Sequence, residues 1–174
     1  MIQYSLQAIS RAPASMDYTF YDGDGRQILT NDDADIADYF DLFYRELPII
    51  PYTLSLIDAD GNERFTLRKK TARPQSFPAF SLAFDGETVD FIEDRMRFSL
   101  PNICFCLGEE KFEVTGSVRS RIFRVESGGE RIVAIEGEPV EGGKKYAIEI
   151  LRDRLPLEVS LATTLVLDIY FHNY

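Results

Sequence analysis

The chain has little of the chemistry on which most catalytic sites depend. Its 174 residues include one histidine, two cysteines and no tryptophan. The histidine, His172, lies near the end of the sequence, so a nucleophile activated by histidine is not expected. The cysteines, Cys104 and Cys106, lie two positions apart on the same face of a predicted strand. Such neighbouring positions suit the narrow geometry of a disulfide poorly. Without further cysteine or histidine, and without a glycine-rich phosphate loop, the sequence predicts no metal, no cofactor and no catalytic residue.

Positive charge is also scarce. The 19 basic residues are outnumbered by 29 acidic ones, a net charge of −10 at pH 7, which argues against nucleic acid as a partner. The charge is uneven, because residues 17–46 carry nine acids and two bases, whereas residues 61–73 carry five bases and one acid. An acidic pole and basic strands can therefore share one surface, the alternative being a solvated surface of mixed charge.

No apolar run is long enough to predict a transmembrane helix. The longest, near the C-terminus, has about sixteen residues where about twenty are needed. It also contains Asp168, which would cost about 3 kcal/mol to insert into hydrocarbon. The start, MIQYSLQ, does not read as a signal peptide, so we expect a cytoplasmic protein, with at most a peripheral association with a membrane.

What the sequence does contain is a series of short apolar runs separated by turn residues. Asp22-Gly23-Asp24-Gly25, Asp58-Ala59-Asp60-Gly61 and Asp85-Gly86 each separate two runs of strand-forming residues. Such Asp-Gly turns predict hairpins, because glycine adopts a positive φ without a steric penalty. Further turns are predicted near Gly108, Gly128-Gly129 and Gly142-Gly143. The pattern predicts about twelve short antiparallel strands.

Two segments depart from this pattern. Ile36, Phe40, Phe43 and Leu47 recur at helical spacing behind a group of aspartates, which predicts an extra amphipathic helix near residues 32–47. In the last segment, residues 155–174, Asp168 is the only charged side chain between Val159 and Phe171, so a helix there is apolar on every side. Such a helix is buried or lies in a membrane. Their β-branched residues would equally suit a strand, but the length favours a helix.

A closed barrel accounts for both the strands and the apolar helix. Closure removes exposed strand edges, and a helix can fill the interior of a large barrel. The fold class predicted is therefore mostly β: about twelve strands in a closed antiparallel barrel around a buried C-terminal helix. Truncation of the chain before Leu155 should then abolish folding.

Three short motifs carry a resemblance to a known family. They are the paired turns ending in Asp24-Gly25 and Asp60-Gly61, the strand Tyr146-Ala147-Ile148-Glu149-Ile150, and the ending Leu167-Asp168-Ile169-Tyr170-Phe171. In order and spacing they resemble the tubby C-terminal-like superfamily, in particular the LURP-one-related proteins and the phospholipid scramblases. The resemblance implies a single tubby-like barrel domain over residues 1–174. Scramblases place an acidic calcium-associated segment before the last helix, where this chain has Lys144, Lys145, Arg152 and Arg154, so calcium is not implied.

Basic side chains are the candidate ligand-binding residues. Arg68 and Lys70 alternate on one predicted strand, and Arg119 and Arg121 on another. If those strands are neighbours, the four form a basic face for anionic lipid head groups, the ligand class that the resemblance implies. The expected function is a non-enzymatic barrel that binds a lipid head group or a membrane surface. The alternative is a protein-interaction or structural module that uses the acidic helix 32–46.

Asp168 is the buried polar residue whose placement most needs an explanation. A carboxylate inside a barrel must be paired or protonated. We expect arginine or backbone N–H partners, and a ligand-linked or proton-linked role stays open.

Overall fold

The computed structural model describes residues 2–11, 15–31, 52–70, 79–94 and 102–170, which form twelve β-strands and one α-helix. The elements are β1 (Ile2–Arg11), β2 (Ser15–Asp22), β3 (Gln27–Asn31), β4 (Tyr52–Ile57), β5 (Glu63–Lys69), β6 (Phe80–Phe84), β7 (Glu87–Asp94), β8 (Asn102–Leu107), β9 (Glu110–Ser117), β10 (Ile122–Ser127), β11 (Glu130–Val140), β12 (Gly143–Ile150) and α1 (Leu157–Tyr170).

The strands form one closed antiparallel barrel. Each strand pairs with its neighbours in sequence, and β1 pairs with β12 from Ile2 opposite Ile150 to Ile9 opposite Gly143. Closure leaves no exposed edge among the twelve described strands. The predicted fold class is confirmed, while the predicted helix near residues 32–47 lies outside the described residues.

Helix α1 fills the interior of the barrel. All side chains from 159 to 169 are buried. The helix contacts β12 on one wall and β5 and β6 on the opposite wall, half a turn of the ring away. Two threonine hydroxyls in this apolar setting donate to the helix's own carbonyls, Thr163 to Val159 at 2.7 Å and Thr164 to Ser160 at 3.4 Å. The strand-favouring residues of the segment are thus accommodated in a helix.

The connections divide between two rims. One end of the barrel, the hairpin rim, carries the turns 22–26, 58–62, 85–86, 108–109 and 128–129. The other end, the Asp168 rim, carries the turns 118–121 and 141–142. Because β12 ends at the hairpin rim, α1 begins there and runs through the barrel toward the Asp168 rim.

The predicted Asp-Gly hairpins are confirmed at the hairpin rim. The Asp22 carboxylate accepts the N–H groups of Asp24 and Arg26 at 3.0 and 2.9 Å, and the Asp58 carboxylate accepts those of Asp60 and Asn62 at 3.0 Å each. These hydrogen bonds, that from the Asn62 N–H foremost, lower the pKa of Asp58. The turn therefore holds the carboxylate in its charged form.

Two further observations bear on the predictions from the sequence. Along the described residues, no helix combines the length and the apolar character that a membrane crossing needs. Within the same ranges, no three or more His, Cys, Asp or Glu side chains gather closely enough to hold a metal ion. Cys104 and Cys106 are not joined in a disulfide.

Candidate functional site

The carboxylate of Asp168 is the centre of a buried polar cluster near the end of α1. Asp168 has no exposed surface. Its Oδ1 accepts hydrogen bonds from the Tyr146 hydroxyl at 2.7 Å and the Lys144 ammonium at 3.0 Å, and its Oδ2 accepts one from the Tyr18 hydroxyl at 3.2 Å. The sequence predicted arginine or backbone partners, and this is wrong. Two phenol hydroxyls donate hydrogen bonds to the carboxylate instead, and the lysine ammonium compensates its charge.

The strand register assembles these donors. Ala8 on β1 lies opposite Tyr18 on β2 and opposite Lys144 on β12, so the three form one row across adjacent strands. Because Ala8 has only a methyl group, the row leaves room between the two donors for the carboxylate of Asp168. β12 also approaches β1 closely here, since a Cβ on Gly143 would lie 2.0 Å from the Ala8 carbonyl oxygen.

The cluster is closed to solvent except at its lysine. Tyr18 and Tyr146 are 1% and 3% exposed, whereas 13% of the Lys144 side chain is exposed. Burial, followed by the negative charge of Asp168, raises the pKa of Tyr146 far above its ordinary value of 10.0. Tyr146 therefore remains a neutral hydroxyl that donates to the carboxylate.

Arg119 and Arg121 do not lie on a strand, and this part of the prediction is wrong. Both belong to the turn 118–121 between β9 and β10, which closes when the Arg121 N–H donates to the Val118 carbonyl at 3.2 Å. Arg121 has a φ of 54°, in the left-handed region that usually favours glycine. Arg119 is exposed and Arg121 is half-buried.

Arg121 lies beside the polar cluster. Its carbonyl accepts the Gly137 N–H of β11 at 2.8 Å, and Gly137 lies opposite Tyr146 in the sheet. A Cβ on Gly137 would come within 2.7 Å of the Tyr146 ring and 3.1 Å of the Arg121 Cβ. The missing side chain of Gly137 therefore lets Arg121 and Tyr146 approach the same point of the wall.

Arg68 and Lys70 occupy another part of the same rim. Arg68 is exposed on the outside of β5, and Lys70 follows the end of that strand. The Lys70 ammonium donates to the Asp90 carboxylate at 2.8 Å, and the Ser81 hydroxyl donates to the same oxygen at 2.6 Å. These two hydrogen bonds lower the pKa of Asp90. Lys70 is thus already half of an exposed ion pair.

The two basic pairs are not on neighbouring strands, so the condition for one continuous basic face is not met. Strands β6, β7 and β8 separate β5 from β9, a distance of about 19 Å along the wall at ordinary strand spacing. The pairs do share a rim, because β5 ends and β9 turns into β10 at the end of the barrel where α1 also ends.

The sequence reasoning did not identify Tyr18, Tyr146 and Lys144 as partners of Asp168. Lys144 appeared only as a basic residue before the helix, and Tyr146 only as part of a strand motif. Barrel closure places β12 beside β1 and was foreseeable, but the register of that pairing is set by contacts between distant residues.

Comparison with known proteins bears on the fold. The X-ray structure of the AT5G01750 protein from Arabidopsis thaliana superimposes with a TM-score of 0.57, covering 99% of this chain and 92% of that one. Only 12% of the aligned residues are identical. The likeness shows the fold alone. No protein-family model matches the chain, and no curated protein matches it either.

Proposed function

We propose that this chain is a non-enzymatic tubby-like barrel that binds an anionic membrane surface through its Asp168 rim. The observation that carries the proposal is the common position of four cations. Arg68 and Lys70 at the end of β5, and Arg119 and Arg121 in the turn 118–121, all belong to this rim. The twelve-stranded barrel around a C-terminal helix, together with the motifs around Asp168, supports the tubby-like assignment.

The acidic turns of the hairpin rim support a defined orientation on the membrane. The five hairpin-rim turns contain six acids and one base, namely Asp22, Asp24, Asp58, Asp60, Asp85, Glu109 and Arg26. An anionic surface repels such an end and attracts a cationic one. The barrel would therefore approach a membrane with the Asp168 rim first.

The spacing of the cations favours a surface over a single small head group. One phosphate cannot contact two basic pairs that lie about 19 Å apart. Each cation near an anionic membrane contributes about 1 kcal/mol, and Lys70 contributes less because Asp90 already neutralises it. Binding is then weak, peripheral and sensitive to salt.

A vesicle sedimentation experiment tests the proposal. The full chain should bind vesicles of phosphatidylcholine and phosphatidylserine in preference to phosphatidylcholine alone, and the preference should fall as salt rises. The variant Arg68→Gln with Arg119→Gln should lose most of this binding. Arg26→Gln, which removes a cation from the hairpin rim, is the matched control and should bind as the parent does. Equal sedimentation with neutral and anionic vesicles would rule the proposal out.

A further inference from the structure

A cavity opens at the hairpin rim, between the beginning of α1 and the wall that β1 to β5 form. Helix α1 contacts β12 on one wall of the barrel and β5 and β6 on the other, and the cavity lies on the side where β1 to β4 complete the ring. Its volume is about 300 Å³, at the lower end of the range that small-molecule sites occupy. The mouth of a barrel is one of the usual places for such a site.

One part of the cavity lining is apolar. Strand β3 and helix α1 contribute four aliphatic side chains, namely Ile28, Leu29, Leu157 and Leu161. Tyr4 of β1 adds an aromatic ring. Leu29 and Leu161 are buried, whereas Tyr4, Ile28 and Leu157 are half-buried. An apolar group in the cavity would therefore remove further apolar surface from water, which stabilises a complex.

Two carboxylates line the cavity, one from each of the two Asp-x-Asp-Gly turns. They are the first aspartates of these turns, Asp22 and Asp58, and both are half-buried, whereas the second aspartates, Asp24 and Asp60, are exposed. Each lining carboxylate accepts two N–H groups of its own turn, which fixes its position. The pKa of Asp58 is lowered, chiefly by the N–H of Asn62, so this carboxylate is charged at neutral pH.

The balance of charge in the cavity is negative. Arg64 of β5 lies 3.1 Å from Glu158 in the first turn of α1, and these two lining residues compensate each other. Across the described ranges, no basic side chain lies within ion-pair distance of Asp22 or Asp58. An occupant of the cavity therefore meets two uncompensated carboxylates next to an apolar surface.

We infer that this cavity binds a small organic cation that carries an ammonium group on an apolar body. The ammonium donates to the carboxylates of Asp22 and Asp58, and such charge-assisted hydrogen bonds are stronger than neutral ones. The apolar body occupies the space beside Leu157 and Leu161. A bare metal ion is a poorer occupant, because no three His, Cys, Asp or Glu side chains of the described residues lie closely enough to hold one. The cavity lies at the end of the barrel opposite the Asp168 rim, so the inference does not depend on membrane binding.

The first experiment titrates the full chain with three probes and follows the amide chemical shifts by NMR. Phenethylammonium has both the charge and the apolar body, phenethyl alcohol has the body alone, and methylammonium has the charge alone. Phenethylammonium should bind at least about tenfold more tightly than either of the others, the ratio that one charge-assisted hydrogen bond or two buried methylene groups provide. The amides of Leu157 and Leu161 should shift with it. Equal affinity for the alcohol, or no binding of phenethylammonium, would overturn the inference.

The second experiment removes the two lining charges. Asp22→Asn with Asp58→Asn keeps side-chain carbonyls that can accept the N–H groups of the turns, so the hairpins should form as before. This variant should bind phenethylammonium about tenfold more weakly than the parent chain does. Asp24→Asn with Asp60→Asn is the matched control, because it removes the same charge from the same two turns at exposed positions, and it should bind as the parent does. Equal weakening in the two variants would assign the attraction to the rim as a whole and overturn the inference.

A third variant fills the cavity and leaves its charges in place. Leu157→Trp enlarges a half-buried side chain of the lining at the first residue of α1, so the probe should lose its space and most of its affinity. The melting temperature should stay close to that of the parent chain, because the added ring enters open space and does not displace core side chains. Unchanged affinity for phenethylammonium in folded Leu157→Trp would place the ligand elsewhere and overturn the site.

Discussion

Replacing Asp168 by leucine should remove much of the stability of this protein. The change removes the carboxylate that accepts hydrogen bonds from the Lys144 ammonium and from the Tyr18 and Tyr146 hydroxyls inside the barrel. Breaking a buried ion pair costs about 3–5 kcal/mol, and the 13% exposure of Lys144 favours the lower figure. Each buried hydroxyl left without an acceptor adds about 1 kcal/mol or more. We therefore expect a loss of about 5 kcal/mol, against a total of about 5–15 kcal/mol for ordinary proteins.

Urea unfolding at pH 7 measures this loss. The slope of the unfolding free energy against urea concentration is compared between variants. Asp168→Asn keeps a carbonyl acceptor and should lose about half as much. Adding Lys144→Met to Asp168→Leu removes the uncompensated charge, so the double variant should be more stable than Asp168→Leu alone. A loss below about 1 kcal/mol for Asp168→Leu, or no recovery in the double variant, would refute a structural role for the cluster.

Two further predictions concern the tyrosines and the central helix. The pKa of Tyr146 is raised in the folded chain. The stability that this raised pKa contributes is therefore complete below the ordinary pKa of 10.0, and it is lost as the pH rises above that value. Urea midpoints should therefore fall above pH 10, by about 1.4 kcal/mol of stability per pH unit for this one group, and the fall should be smaller in Tyr146→Phe. Ending the chain before Leu155 removes six large buried aliphatic side chains between positions 159 and 169. Their burial contributes about 9–18 kcal/mol together. The fragment should therefore show no cooperative unfolding transition by circular dichroism. A folded fragment would show that the barrel needs no central helix.

The hairpins could be predicted from the sequence because turn chemistry is local. Gly25, Gly61, Gly86 and Gly108 all have positive φ where the Asp-Gly and glycine signals indicated turns. The turn 118–121 escaped prediction because it contains no glycine, proline or asparagine. It forms with an arginine at its left-handed position, held by the hydrogen bond from Gly137 on another strand. Its local signal is weak, because it is limited to Ser117, whose hydroxyl accepts the Ser120 N–H at 3.3 Å.

The candidate site was less predictable than the fold. The four basic residues were identified, but Arg119 and Arg121 were assigned to a strand and lie in a turn. Their common rim follows from counting strands in the closed barrel, since alternate connections return to the same end. Their separation by three strands follows from the same count. The coordinates were required for the turn that carries Arg119 and Arg121, for the ion pair of Lys70 with Asp90 and for the strained φ of Arg121.

The sequence by itself determined the alternation of the strands, the turns between them and the apolar character of the last helix. These features depend on residues within a few positions of one another. The tertiary structure alone decided which side chains bind the Asp168 carboxylate, because its partner Tyr18 lies 150 residues away along the chain. The contact between Tyr18 and Asp168 depends on the strand register in which Ala8 lies opposite both Tyr18 and Lys144. A shift of the register by one residue would turn these donors to the outside of the barrel and leave a charge buried in its core.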